Sequence, residues 1–475
     1  MQFPKHLTVR VAACLLPALL PACSSSDARA QDALGSYQAA AAANDLVGAR
    51  KALLELVRAK DDVPDYWIEL GKFDASAGDY NSAYYAFTRA YELDRNNVDV
   101  LRAVTQLALR TGDLASAESH ADELALIAPD DPWPKLTKGW AAVTESHFDQ
   151  ALGAADSILA NAPFDPSATV LKARALLGLG RQDEATALLL KQIQAQPTDS
   201  GSLQLLARVY QRQEDWPKLV GVTQRLIQLV PADQGNALLL IEAAFRSGNA
   251  AVARGESLRL LRSDPAPGLV TSVLDLWTDY WPSRQRIDDA RSLGAAAQGM
   301  EQKLAYAAFL SREGSPADAV RLTSAAATLP VDARNAEANA VLADAWWRLG
   351  NYAPAKNRLD AVLAFDPGNA SALRARAELD LRTGKAPAAV VDAQKLVTVL
   401  PNSAPDRLLL ARSFAAAGNQ SWANRTLWTA FQDIPGDERI YAALAMTKKG
   451  DPDGTRDLQE EFDRQRDAKV GRGFV

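Results

Sequence analysis

Small, apolar and polar positions recur along this chain at a fixed interval of 34 residues. One column is alanine at nine of twelve positions (Ala49, Ala83, Ala117, Ala151, Ala185, Ala253, Ala355, Ala389, Ala423), with Leu219, Ile287 and Arg321 at the other three. Five residues ahead of it, a second column is glycine at seven of twelve: Gly78, Gly112, Gly180, Gly248, Gly350, Gly384 and Gly418. Asn44, Ser146, Glu214, Pro282 and Pro316 complete that column. A third column is proline at eight of twelve positions: Pro129, Pro163, Pro197, Pro231, Pro265, Pro367, Pro401 and Pro435. The three columns stay in phase over eleven steps, so the chain is a repeat array.

Each column predicts an element boundary or a contact. The glycine ends a first helix where the chain enters a left-handed turn. The Asp or Asn that often follows it (Asp79, Asp113, Asp215, Asn249, Asn351, Asn419) suits the turn and caps the next helix. The alanine lets two antiparallel helices approach closely. The proline stops the second helix before the next unit begins. An alanine-rich chain with few β-branched runs favours helix throughout.

In the second unit Trp67, Leu70, Gly71, Gly78, Ala83, Phe87 and Ala90 fall at the signature positions of the tetratricopeptide repeat. Leu342-Ala343, Gly350-Asn351-Tyr352, Ala355 and Asp366-Pro367 repeat the pattern further on. Residues 30–437 therefore resemble the tetratricopeptide repeat family. The resemblance implies an all-α, right-handed α-solenoid of about twelve helical hairpins. It specifies a scaffold more than a function.

Two stretches depart from the pattern. Residues 268–335 carry prolines at the turn positions and Ile287 and Arg321 in the alanine column, and are read as a degenerate pair of repeats. Core packing is the first reading of Trp277, Tyr280 and Trp281, with local bending or a docking partner as the alternative. Residues 438–475 form a C-terminal cap and tail: a helix over about 438–449, the turn at Gly450–Gly454, and a charged helix over about 455–469. Asp457, Glu460, Glu461, Asp463, Arg464, Arg466 and Asp467 supply the polar face that a solenoid end needs.

The N-terminus reads as an export signal. Lys5, His6 and Arg10 precede an apolar run of 12 residues, Val11–Ala22, too short to cross a bilayer. Leu20-Pro21-Ala22-Cys23 resembles a bacterial lipobox, with Pro21 departing from the small or β-branched residue usual there. On this reading residues 1–22 are a signal peptide, Cys23 is lipidated and 23–29 are a linker. Ser24 after the cysteine resembles lipoproteins sorted to the outer membrane and facing the periplasm. Cleavage after Ala28-Arg29-Ala30 is the alternative and gives a soluble periplasmic or secreted protein.

Composition narrows the chemistry. A net charge of −6 offers no electrostatic case for nucleic acid or anionic headgroups. The only cysteines are Cys14 and Cys23, so neither a disulfide framework nor a cysteine metal site holds the body together. Beyond His6 the histidines are His120 and His147, and neither belongs to an H-E-x-x-H pair. Phosphate-binding glycine loops, the G-x-S-x-G elbow and the G-x-G-x-x-G fingerprint are missing. Acid pairs such as Asp61-Asp62, Asp130-Asp131, Asp288-Asp289 and Glu460-Glu461 read as solvated faces. No enzyme, metal or cofactor is expected.

In the family the first helix of each repeat lines the concave surface. The resemblance then places Arg102, Gln106, Arg174, Gln204, Arg208 and Gln211 there as a polar, positive stretch, with Trp140 among them. Arg174 and Arg208 occupy the same position of successive repeats. Glu242, Asp344, Trp347, Arg374, Glu378 and Arg412 follow as a mixed or acidic stretch. The expected function is a non-catalytic adaptor binding partner proteins of the cell envelope, for export, secretion or assembly. The alternative is direct binding of an exported acidic polysaccharide in the same groove.

Overall fold

The computed structural model describes residues 25–471, and among these every regular element is a helix. Cys23 and the rest of the proposed signal lie outside the described residues. The chain divides into two compact units, Met1–Ser202 and Leu203–Val475. The first contains five helical hairpins: α1 (Ser25–Ala42) with α2 (Leu46–Ala59), α3 (Pro64–Ser76) with α4 (Tyr80–Leu93), α5 (Val98–Thr111) with α6 (Leu114–Ile127), α7 (Trp133–Thr144) with α8 (Phe148–Leu159), and α9 (Pro166–Gly178) with α10 (Gln182–Ala195). The second contains seven more. They are α11 (Ser200–Arg212) with α12 (Trp216–Leu229), α13 (Gln234–Arg246) with α14 (Ala250–Leu261), α15 (Pro267–Tyr280) with α16 (Gln285–Ala296), α17 (Met300–Arg312) with α18 (Pro316–Thr323), α19 (Ala336–Arg348) with α20 (Tyr352–Phe365), α21 (Ala370–Arg382) with α22 (Ala386–Val399), and α23 (Ala404–Ala416) with α24 (Gln420–Asp433). Two further helices, α25 (Glu438–Thr447) and α26 (Pro452–Gly471), end the array.

The three columns do what their chemistry predicts. All seven glycines of the turn column adopt φ between 74° and 89°. Asn44, Ser146 and Glu214 take the same left-handed turn, with φ of 55–63°, against the steric preference of a residue with a side chain. Asp45, Asp79, Asp113, Asp215 and Asn249 then cap the next helix by accepting a backbone N–H. Asn351 and Asn419 were expected to do the same. They occupy the cap position, but their side chains accept no such bond. Before six of the eight prolines, Ala128, Gln196, Val230, Asp366, Leu400 and Ile434 close their helices with φ of −123° to −133° and ψ of 69° to 93°. That is the extended backbone a following proline imposes. Ahead of the other two, α8 and α14 end earlier, at Leu159 and Leu261, and Asp264 before Pro265 is left-handed at φ 55°.

The nine column alanines are all at most 2% exposed, wedged where the two helices of a hairpin meet. Larger side chains fill the space between hairpins: Leu53, Leu56, Phe87, Tyr91 and Leu101 in the first unit, Leu359, Leu373, Leu396 and Phe414 in the second. Contact is tight enough to select glycine. A Cβ placed on Gly71 would stand 2.6 Å from the ring of Phe87.

In the degenerate stretch the pattern slips and then recovers. Ile287 is only half-buried and Arg321 is exposed; Ala290 and Ala319, fully buried, take the close-approach position instead. The turn before α18 is made by Gly314, at φ 92°, two residues ahead of Pro316. Trp277 and Trp281 are core residues. Trp277 is fully buried, donates its indole N–H to Ser257 at 3.0 Å, and meets Trp281 and Phe309 edge-on at 5.2 and 6.2 Å.

At the ends, α26 packs Leu458 and Phe462 onto Phe431, Ile440 and Leu444 while Asp457 and Glu460 face solvent. It is longer at its start than the charged run suggests, opening at Pro452, where a proline needs no N–H partner. At the other end α1 begins at Ser25, inside the stretch read as a linker. Ala30 and Ala33 are buried and Asp27 pairs with Lys60, the residue that closes α2.

Candidate partner-binding surface

The side chains singled out for the concave surface stand on first helices of hairpins, and most already have partners. On α5, Arg102 donates to Asp131 at 2.5 Å and to Asp99 at 3.0 Å. Asp131 is nearly buried, and its other oxygen accepts the N–H of Trp133, so it anchors the start of α7 and neutralises Arg102 at once. Gln106 lies half-exposed one turn along α5. On α7 and α9, Arg174 sits over the ring of Trp140, 5.2 Å from its centroid, a cation–π contact in a half-buried setting.

In the second unit α11 carries Gln204, exposed, and Arg208 and Gln211, half-buried. Asp344 on α19 is enclosed by its neighbours. It accepts Ser311 Oγ at 2.5 Å, the indole N–H of Trp347 at 2.9 Å and Arg348 Nε at 3.0 Å. Arg348 extends to Glu378 on α21, and Arg374 forms a two-pronged pair with buried Asp406 at 2.6 and 2.7 Å. Glu242 is held by Arg246 at 3.0 Å. Arg412 is exposed. Thus several cations read from sequence as a positive stretch or a mixed one are matched by carboxylates on the neighbouring hairpin.

Two members of the acid pairs expected to be solvated faces are instead mostly buried in ion pairs, Asp131 with Arg102 and Asp289 with Arg254, and a sequence signal for such carboxylates was present. Asn97, Asp131, Asp165, Asp199, Asp233, Asn335, Asn369 and Asp437 form a fourth column, two residues after the proline column. Asn97, Asp165, Asp233, Asn369 and Asp437 cap first helices by accepting backbone N–H groups, and Asp199 accepts that of Ser202. Among the described residues no group of three or more His, Cys, Asp or Glu side chains is placed to hold a metal ion. No described helix is long and apolar enough to cross a membrane.

Residues 75–133 match the tetratricopeptide repeat family, and residues 135–267 match the N-terminal tetratricopeptide-repeat region of Psidin. No curated protein matches the chain. Solved structures that align with it include PilW, a type IV pilus biogenesis factor, at 19% identity over 42% of this chain and 91% of that one, with a TM-score of 0.34. MamA aligns at 16% identity over 35% of this chain and 91% of that one (TM-score 0.31). A tetratricopeptide repeat protein from Parabacteroides merdae aligns at 14% identity over 58% and 99% (TM-score 0.29). The array of hairpins, with family matches within residues 75–267, gives the chain a tetratricopeptide-repeat fold. Such repeats are scaffolds for protein–protein interaction.

Proposed function

We propose that this chain is a non-catalytic adaptor lipoprotein of the bacterial cell envelope, which holds partner proteins on the first-helix surface of its repeats. The repeat array carries the reading, because it presents many equivalent first helices whose exposed positions differ in side chain from hairpin to hairpin. Trp140 with Arg174 is the anchor point favoured for a protein partner, an aromatic–arginine pair of the kind that dominates interface energetics. Pairing of Arg102 with Asp131 and of Arg374 with Asp406 supports a protein over an acidic polysaccharide, since a polyanion would have to displace carboxylates already in place.

The start of α1 supports the lipoprotein reading. Cleavage ahead of Cys23 leaves α1 whole, whereas cleavage after Ala30 would strip its first six residues and Asp27's pair with Lys60. A tether at Cys23 would restrict the search for partners to a membrane surface and raise their effective concentration. Intact mass of the protein from host membranes tests this half, with a triacylated start at Cys23 expected and an unmodified start at Gln31 opposing it. Cross-linked recovery of envelope partners tests the other half. Trp140→Ala with Arg174→Ala is expected to lower recovery at least about tenfold, the loss of a single hot spot; undiminished recovery would remove this surface from the proposal.

A further inference from the structure

First helices of the second unit are joined by ion pairs between hairpins far apart in sequence. Arg246 ends α13 and donates to Glu438, at the start of α25, at 2.9 Å across 192 residues of chain. Arg439, the next residue, lies 3.6 Å from Asp279 near the end of α15. Five hairpins, α15 to α24, intervene between α13 and α25. All three contributing helices are first helices, so the pairs join across the surface on which the family holds its partners.

Arg246 is built to stay in position. Its guanidinium lies 4.7 Å from the ring centroids of both Trp216 and Tyr280, and it also donates to Glu242 at 3.0 Å and to the Tyr280 hydroxyl at 2.6 Å. It is four-fifths buried. Burial pushes the Tyr280 phenol up to about 12, so this hydroxyl remains neutral at the arginine's side. The other half of the contact is looser: Glu438 and Arg439 are each about half-exposed. A fixed socket on α13 and α15 thus receives an exposed, charged corner of α25.

We propose that Glu438 and Arg439 form a strap that closes the concave face of the second unit in the partner-free protein, and that a partner enters by replacing them. The proposal rests on the groove reading given above and adds the chemistry of the entrant. A segment that opens the strap offers a carboxylate to Arg246 and a cation to Asp279, reproducing the acid–base order of Glu438-Arg439. Neither contact requires a conformational change in the socket. Glu438 and Arg439, the half-exposed partners, are the side of each pair that solvent already screens and that an equivalent charge can replace.

The test measures the strap without a partner, so its outcome is separate from that of the cross-linking experiment. In the full chain with Cys14 and Cys23 replaced by serine, spin labels are placed at Ala250→Cys and Ala442→Cys, both exposed. Electron–electron dipolar spectroscopy is expected to give one narrow distance distribution at low salt. Glu438→Arg with Arg439→Glu is expected to broaden it toward longer distances, with helicity by circular dichroism unchanged. Raising salt to about 1 M, where the Debye length falls to about 3 Å, is expected to do the same without any substitution. A distribution already broad at low salt, or one that neither the reversal nor salt alters, overturns the strap.

Discussion

Ser146 and Glu214 perform a glycine's job with a side chain in the way. Both hold φ near 60° in a turn that seven other repeats make with glycine, and an L-residue there costs about 1–2 kcal/mol. Ser146→Gly and Glu214→Gly are each expected to raise stability by up to about 1 kcal/mol, after the loss of backbone entropy that glycine brings, as read from the urea midpoint. Gly350→Ala is expected to lower it by a similar amount. The turn was legible at these sites because the period points to it even where the residue does not. His120 is a different matter. Sequence placed it mid-helix, but not its edge-on contact with Tyr91 at 5.7 Å, since that contact spans two hairpins. Burial holds its pKa below the usual 6.5, outweighing Glu123 beside it. The unfolded chain therefore binds a proton at His120 more readily than the folded one. Stability from this site is complete above about pH 6.5 and falls as pH drops toward the folded pKa. His120→Gln is expected to flatten the fall, in denaturation curves collected from pH 7 to pH 5.

At the scale of elements, hairpins were legible because each boundary has a chemical marker repeated many times. Where the markers fail, between Pro282 and Arg321, the helices persist, and the packing finds Ala290 and Ala319 in place of the column residues. Burial, not position in a period, chooses the residue at a close approach. The Asp and Asn column ahead of the first helices went unread because its residues look like ordinary loop polarity. Only the structure shows Asp131 serving both a helix start and an arginine on the preceding hairpin. The capping helix illustrates the reverse, since its charges were plain and its buried pair, Leu458 and Phe462, carries the packing. Phe462 stacks on Tyr441 at 4.5 Å and on Phe431 at 6.5 Å. Phe462→Ala is expected to cost about 3–5 kcal/mol locally. Hydrogen exchange should then speed up in α25 and α26 first, with the early hairpins unchanged.

For the molecule as a whole, the repeat class could be read from three columns, whereas its strap could not. A period reports what neighbouring repeats share, and the pair between Arg246 and Glu438 is a relation between repeats that are not neighbours. Nothing local marks Glu438 and Arg439 apart from the other charged residues near the end of the array. The groove residues named from sequence were similarly visible as positions but not as partners, because the carboxylates that neutralise Arg102 and Arg374 come from the next hairpin.

A row of repeats touching only its neighbours yields to a pull at one end by losing one repeat after another. The second unit is not wholly such a row. Tension applied through α26 reaches α25 and, by way of Glu438, the end of α13, so the intervening hairpins share the load with a parallel link. The same link closes a loop of 192 residues, and long loops close late in folding, after local contacts have formed. Synthesis would therefore complete every hairpin of the unit before the strap could engage.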